Sequence, residues 1–416
     1  MKIMAKALSL LLALSMLPLA AGCNNGADSA ASSKAASKKP TSSAVLSEAE
    51  SQAAASASAS SEPVIPTVND YSTRTYNIPA IINNVKINGR YAVTKAGSVA
   101  KNADSITFDH TAQMISFNAD CEGDVKLTMT VESPNVDGRE GKYFLVVVDG
   151  VEKRMLAKGT KGKEVMLDLT IAEGLKRGKH TFEVYRQTEA IHGLCNMISI
   201  TMNGVPTERP KNKDLYIEFL GDSITAGYGN LTTVDDEEQP SYPEKSSGTD
   251  TYAFLTAKAL NADMSAVAQS GVAYAWGIGD RTIDDYWFKT SFLRSNLGNY
   301  KAERQPDVVV IGLGTNDHRE YESKGFTDEQ MTEAAVKLLK NVRQERPNAK
   351  IVWHYGILNN FLNKEIKKAV EEMGGAAKGF YYCETERRQD GGGWHPSKEN
   401  HQAASEELVE FIKGIM

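Results

Sequence analysis

The chain has 416 residues, enough for about two domains of ordinary size with length left over. Its hydrophobic fraction of 41% and charged fraction of 24% are those of a globular protein. The net charge of −6 offers no broad basic surface for nucleic acid or an anionic bilayer, so neither is expected as a partner.

In chain order, MKIMAKALSLLLALSMLPLAAGC comes first. Lys2 and Lys6 precede an apolar run from Ala7 to Leu19 and then small residues. That is the layout of a signal peptide, here residues 1–22. The run is shorter than the roughly 20 apolar residues a membrane span takes. LAAGC resembles the lipobox of bacterial lipoproteins, with Ala20 where leucine is usual, and the resemblance implies a lipid on Cys23. A plainly secreted chain with an incidental Cys23 is the alternative. The expected location is extracytoplasmic, with contact to the membrane through the lipid anchor only. Residues 23–68 are mostly Ala, Ser and Lys and bury too little to order themselves, so a disordered tether is expected there.

Residues 69–207 read as a β-sandwich of jelly-roll type. In DVKLTMTVES, Val125, Leu127, Met129 and Val131 alternate with polar residues. Asp149-Gly150 between two apolar runs signals a hairpin. EVMLDLTI, HTFEVYRQT and MISITMNGV add further short strands. Cys121, Cys195 and Cys383 give neither a disulfide framework nor a metal pattern. A Cys121–Cys195 bridge is possible, and three buried free thiols are the favoured expectation. His110, His180 and His192 show no paired spacing, so no metal and no cofactor is expected.

ERPKNK, residues 208–213, opens a different pattern, in which strands and helices alternate to the end of the chain. LYIEFLG, DMSAVAQSG, PDVVVIGLGTND, KIVWHYG and GFYYC read as strands. TDEQMTEAAVKLLKNVRQERP reads as a helix with a Thr327/Gln330 capping box and a stripe from Met331 to Val342. The fold class is therefore α/β: an N-terminal sandwich, then a three-layer α/β/α domain over 208–416 with a parallel sheet. Ligands in such sheets bind at the carboxyl ends of the strands.

Three strand ends carry residues suited to one task. Ser223 in GDSITAGYG sits where a strand meets a helix start, and Gly271 in QSG lets its backbone approach a ligand closely. Asn316 in GLGTND offers a side-chain NH₂. The N–H of Ser223, the N–H of Gly271 and the amide of Asn316 are neutral donors for an acyl oxyanion. His395, in QDGGGWHPSKEN, is a base able to take the serine proton and return it. Each element alone has a structural explanation as a turn, a cap or a packed ring; their order at successive strand ends is the signal.

GDSIT, SG, GTND and WHP resemble blocks I, II, III and V of the SGNH (GDSL) hydrolases over about residues 214–416. With the preceding sandwich, residues 70–416 resemble carbohydrate esterase family 2. The resemblance implies a serine esterase that removes O-acetyl groups from xylan, mannan or glucomannan, with an acetylated carbohydrate as its partner. It implies Ser223 as nucleophile, His395 as base, and Ser223, Gly271 and Asn316 as oxyanion donors. Trp394 would be a sugar platform, and Trp276 and Tyr228 are further candidates for binding substrate, as are Tyr274 and Trp287. His354, Tyr355 and His318 also follow strands and are secondary candidates.

The family's usual D-x-x-H is absent, because Gly392 stands three residues before His395. A backbone carbonyl, that of Trp394 in the first place, or the Asp390 carboxylate is expected to hold the imidazole; Asp317 and Glu384 are more remote choices. Two other readings stay open: an SGNH lipase, lysophospholipase or thioesterase, and a carbohydrate-binding protein without activity. A monomer is expected.

Overall fold

The computed structural model describes residues 70–97, 103–236, 241–277, 280–317, 324–386 and 388–416. The expected signal peptide, Cys23, the tether and His318 lie outside the described residues. From Asp70 onward the described chain forms one compact unit.

Nine strands make an antiparallel sheet: β1 (Thr73–Asn77), β2 (Val85–Asn88), β3 (Ala92–Thr94), β4 (Ser105–Phe108), β5 (Met114–Glu132), β6 (Lys142–Val148), β7 (Val151–Ala157), β8 (Glu164–Arg186) and β9 (Cys195–Pro206). β5 and β8 pair along two limbs. Met114–Cys121 runs against Tyr185–Gly178, and Val125–Glu132 against Ala172–Glu164. Register shifts between Cys121 and Lys126 separate the limbs, and such bulges bend a strand. The limbs enclose one core, in which Phe117 stacks on Phe182 at 4.6 Å between ring centroids and the Val125–Val131 stripe is buried. Asp149 and Gly150 both take positive φ, 50° and 83°, at the β6–β7 turn, as a two-residue hairpin of this hand requires. Cys121, Cys195 and Cys383 are buried free thiols, and the possible Cys121–Cys195 bridge is not formed.

The second sheet has five parallel strands: β10 (Tyr216–Gly221), β11 (Asp263–Ala268), β12 (Val308–Gly312), β13 (Lys350–Tyr355) and β14 (Phe380–Glu384). Their order is β11-β10-β12-β13-β14. The helices Asp328–Glu345 and Asn363–Glu372 cover one face, where Met331, Leu338 and Ile366 pack on Val309, Ile311 and Trp353. Tyr252–Ala259 and Lys398–Ile415 cover the other, where Tyr252, Leu408 and Ile412 pack on Phe219, Val310 and Val352. Thr327 and Gln330 form the expected capping box, and the Asn400 N–H donates to Ser397 Oγ at the start of the last helix. The chain leaves β10 for β11 on one side and then crosses to β12 on the other. The order of connection therefore reverses beside β10, and a crevice opens at its carboxyl end.

The two sheets are joined by buried charge. The Arg90 guanidinium, from the antiparallel half, and that of Arg346 both hold the Glu218 carboxylate of β10 at 2.8 Å. Lys86 pairs with Asp263 at 2.6 Å.

Candidate active site

Ser223 begins a single helical turn, Ser223–Ala226, directly after β10. Asp222 caps that turn, its Oδ1 accepting from the Ile224 N–H at 2.9 Å. Burial raises the Asp222 carboxyl to about 7. Gly227 closes the turn at φ 82°, and a Cβ there would lie 2.2 Å from the Ser247 carbonyl oxygen.

His395 reaches the same point from the other end of the sequence. Its Nε2 lies 2.8 Å from Ser223 Oγ, and its Nδ1 lies 3.0 Å from the Gly393 carbonyl oxygen. A carbonyl only accepts, so Nδ1 carries the proton and donates it. Nε2 is left with its lone pair facing the serine hydroxyl. The ring keeps an open edge, yet the groups packed around it disfavour its charged form and push its pKa down to about 4.

Two of the expected orienters are thereby corrected. The acceptor is the carbonyl of Gly393, not of Trp394, because Gly393 (φ 62°, ψ 29°) and Trp394 (φ 64°) both take the left-handed conformation and turn the 393 carbonyl back toward the ring. Asp390 does not touch His395. Its carboxylate accepts from the N–H and the Oγ–H of Ser397, both at 2.8 Å, and so secures the start of the last helix. Asp317 is engaged elsewhere, as described below, and Glu384 pairs with Lys367 at 2.6 Å on the surface.

The glycine run is fixed by a neighbouring loop. The Gly392 N–H donates to the Gly229 and Thr232 carbonyls, the Lys398 N–H donates to the Asn230 carbonyl, and Thr233 bridges Gly391. A Cβ on Gly391 would lie 2.9 Å from the His395 and Pro396 carbonyl oxygens, closer than side-chain carbons approach.

Of the expected donors, Asn316 is tied to the residue before the serine. Asn316 Nδ2 donates to the Val272 carbonyl at 2.8 Å and lies 3.5 Å from Asp222 Oδ2. It therefore ties the loop after β11 to the residue before Ser223. Gly271 sits in that loop at φ 84°. Asp317, buried beside Asn316, accepts from the N–H groups of Tyr274, Ala275 and Trp276 at 2.7–3.1 Å. Burial raises its carboxyl to about 6.

The aromatic candidates divide. The Tyr228 ring packs on the His395 ring at 4.7 Å, and Trp394 is 52% exposed next to the base. Trp276 is half-buried, with its Nε1–H on Asp280 at 2.6 Å and the Lys324 ammonium 4.2 Å from its ring. Tyr274 and Trp287 belong to the core under the helices and are not at a surface. His354 is buried against Tyr252 at 4.8 Å, and the Tyr355 hydroxyl donates to Asn359 Oδ1. Neither is placed to meet a ligand.

Sequence reading missed Gly393, the loop-holding role of Asp317, and Glu189. Glu189 comes from the antiparallel half, yet its carboxylate accepts from the Ser270 N–H and Oγ–H, both at 2.8 Å. No spacing or motif pointed to it.

A serine hydroxyl facing the lone pair of a neutral imidazole, at a strand end, is an arrangement able to attack an acyl carbon. Residues 219–403 match the model of the GDSL-like Lipase/Acylhydrolase family. The cellulase/esterase CelE of Acetivibrio thermocellus is 30% identical over 291 residues, 65% of this chain and 34% of that one. The chain thus spans about a third of that relative's length. An acetylxylan esterase/glucomannan deacetylase of Cellvibrio japonicus is 25% identical over 253 residues, 58% of this chain and 68% of that one. The fold is that of family two carbohydrate esterases. The structure from Clostridium thermocellum in complex with cellohexaose has a TM-score of 0.68 at 24% identity, covering 80% of this chain and 100% of that chain. One from Cellvibrio japonicus has a TM-score of 0.69 at 21% identity, covering 83% and 98%.

Proposed function

We propose that this chain is a serine esterase that removes O-acetyl groups from xylan-, mannan- or glucomannan-type glycans through an acyl-enzyme. The observation that carries this reading is the contact of His395 Nε2 with Ser223 Oγ at 2.8 Å, with Nδ1 held on a carbonyl. The Ser223 oxygen attacks the acetyl carbon while Nε2 takes its proton. The oxyanion that forms is met by the N–H of Ser223, the N–H of Gly271 and the amide of Asn316, which gives up its weak 3.5 Å contact with Asp222 to donate there. Collapse expels the sugar oxygen, which takes the proton back from Nε2, and water repeats the sequence to release acetate.

The carbohydrate part of the reading rests on the names of the relatives and on Trp394, whose exposed ring beside the base offers a face to the C–H groups of a sugar. A lipid on Cys23 and the tether behind it would hold the enzyme outside the cytoplasm against its polymer.

The test is hydrolysis by the chain lacking residues 1–63 of acetylated xylan and glucomannan, and of 4-nitrophenyl acetate, butyrate and octanoate. Acetate release from the polymers and rejection of octanoate are expected. Preference for octanoate would assign the site to a lipase or thioesterase instead.

A further inference from the structure

We infer that Glu189, a residue of the antiparallel half, is a positioning residue for the oxyanion donor Gly271. The inference rests on the esterase reading and adds to it a working role for the first sheet.

The geometry is direct. Glu189 is 3% exposed, and its two carboxylate oxygens take two donors from one residue: Oε2 the Ser270 N–H and Oε1 the Ser270 Oγ–H, each at 2.8 Å. Gripping both the backbone nitrogen and the side chain of Ser270 fixes the rotation of its Cα. The next peptide plane, which carries the Gly271 N–H, is then fixed as well. At φ 84° Gly271 has no side chain to lock its own orientation, so the restraint has to come from outside. Asn316, on Val272, restrains the far side of the same turn.

The other end of the lever is equally fixed. Arg186 is fully buried at the end of β8, and its guanidinium donates to the carbonyls of Thr188 at 2.7 Å, Glu189 at 2.9 Å and Gly193 at 2.7 Å. The His192 N–H also donates to the Glu189 carbonyl, at 3.2 Å. A buried arginine thus staples the loop that carries Glu189, and the loop sets the donor. A donor aimed where charge develops is worth more than one free to turn, because it costs no reorganisation during the reaction.

A glutamine at 189 keeps both contacts, with its oxygen accepting from the Ser270 N–H and its amide donating to Ser270 Oγ. An alanine keeps neither. In the otherwise unaltered protein, Glu189→Ala is expected to lower kcat on 4-nitrophenyl acetate by about 10- to 100-fold with KM within about twofold. Glu189→Gln is expected to stay within about threefold of the parent. A purely structural role would lower the amount of folded enzyme, and so the thermal midpoint, without this split between kcat and KM. An unchanged kcat in Glu189→Ala overturns the inference, as does a Glu189→Gln that falls as far as Glu189→Ala. If Glu189→Ala does not fold, Ser270→Ala decides: a several-fold loss of kcat supports the inference and full activity overturns it. Absence of Ser223-dependent hydrolysis by the parent protein would instead remove the esterase reading itself, and this inference with it.

Discussion

His395 is held without a carboxylate. The Gly393 carbonyl fixes the tautomer but brings no full charge to face an imidazolium, and burial pushes the pKa down to about 4. The base works only when neutral. Activity should therefore persist as pH falls from 7, and be lost as pH passes down through about 4 rather than near the ordinary histidine value of about 6.5. The acid limb of a kcat/KM–pH profile reads this directly. Asp390 bears on the same question. In Asp390→Asn the amide still accepts from the Ser397 N–H, so kcat should remain within about threefold, with a loss of stability of about 1 kcal/mol at the helix cap. A loss of several hundredfold with the fold intact would show that the carboxylate, not the carbonyl, orients the base.

The Ser223–His395 pair was legible because side chains and their order after strands leave letters in a sequence. The Gly393 carbonyl leaves none, since every residue has one. What selects it is the left-handed pair Gly393-Trp394, and that conformation is set by contacts with residues 229–233 far back in the chain.

Among the elements, the parallel strands and their helices followed from periodicity, and the buried face of Asp328–Glu345 is the stripe its spacing required. The bends of β5 and β8 were not readable, because each limb alternates correctly on its own and the shift between Cys121 and Lys126 is fixed by the partner strand. Trp287 and Tyr274 were placed near a sugar for want of the same long-range knowledge; the helices over them make them core. The loop after β11 owes its shape to Asp317, which takes three consecutive N–H groups. Asp317→Ala leaves those donors unpaired, at about 1–3 kcal/mol each where they stay buried. The thermal midpoint should drop by several degrees, and kcat by more than tenfold as the loop that carries Gly271 loses its setting. A folded variant with parent kcat would contradict this role.

At the scale of the molecule, the antiparallel and parallel halves are bound by buried charged groups that reach from one half to the other. Glu218 is held by Arg346 of its own half and by Arg90 of the first, and Asp109 of the first half accepts from Ser291 Oγ at 2.6 Å and from the Leu293 N–H at 2.9 Å. Removing one partner of a buried pair costs up to about 3–5 kcal/mol; in Arg90→Ala Arg346 still faces Glu218, but the Trp287 and Lys289 carbonyls also lose their donor. Arg90→Ala should therefore lower the thermal midpoint strongly while the parent unfolds in one transition monitored from either half. Two separate transitions in the parent would show that the halves are independent.

The most direct measurement is the initial rate of acetate release from acetylated xylan by the protein and by Ser223→Ala, at equal concentrations of folded chain. The serine-esterase account requires release by the parent and a loss of at least about 10³-fold in the variant. Equal release by both, or none by the parent, would contradict it.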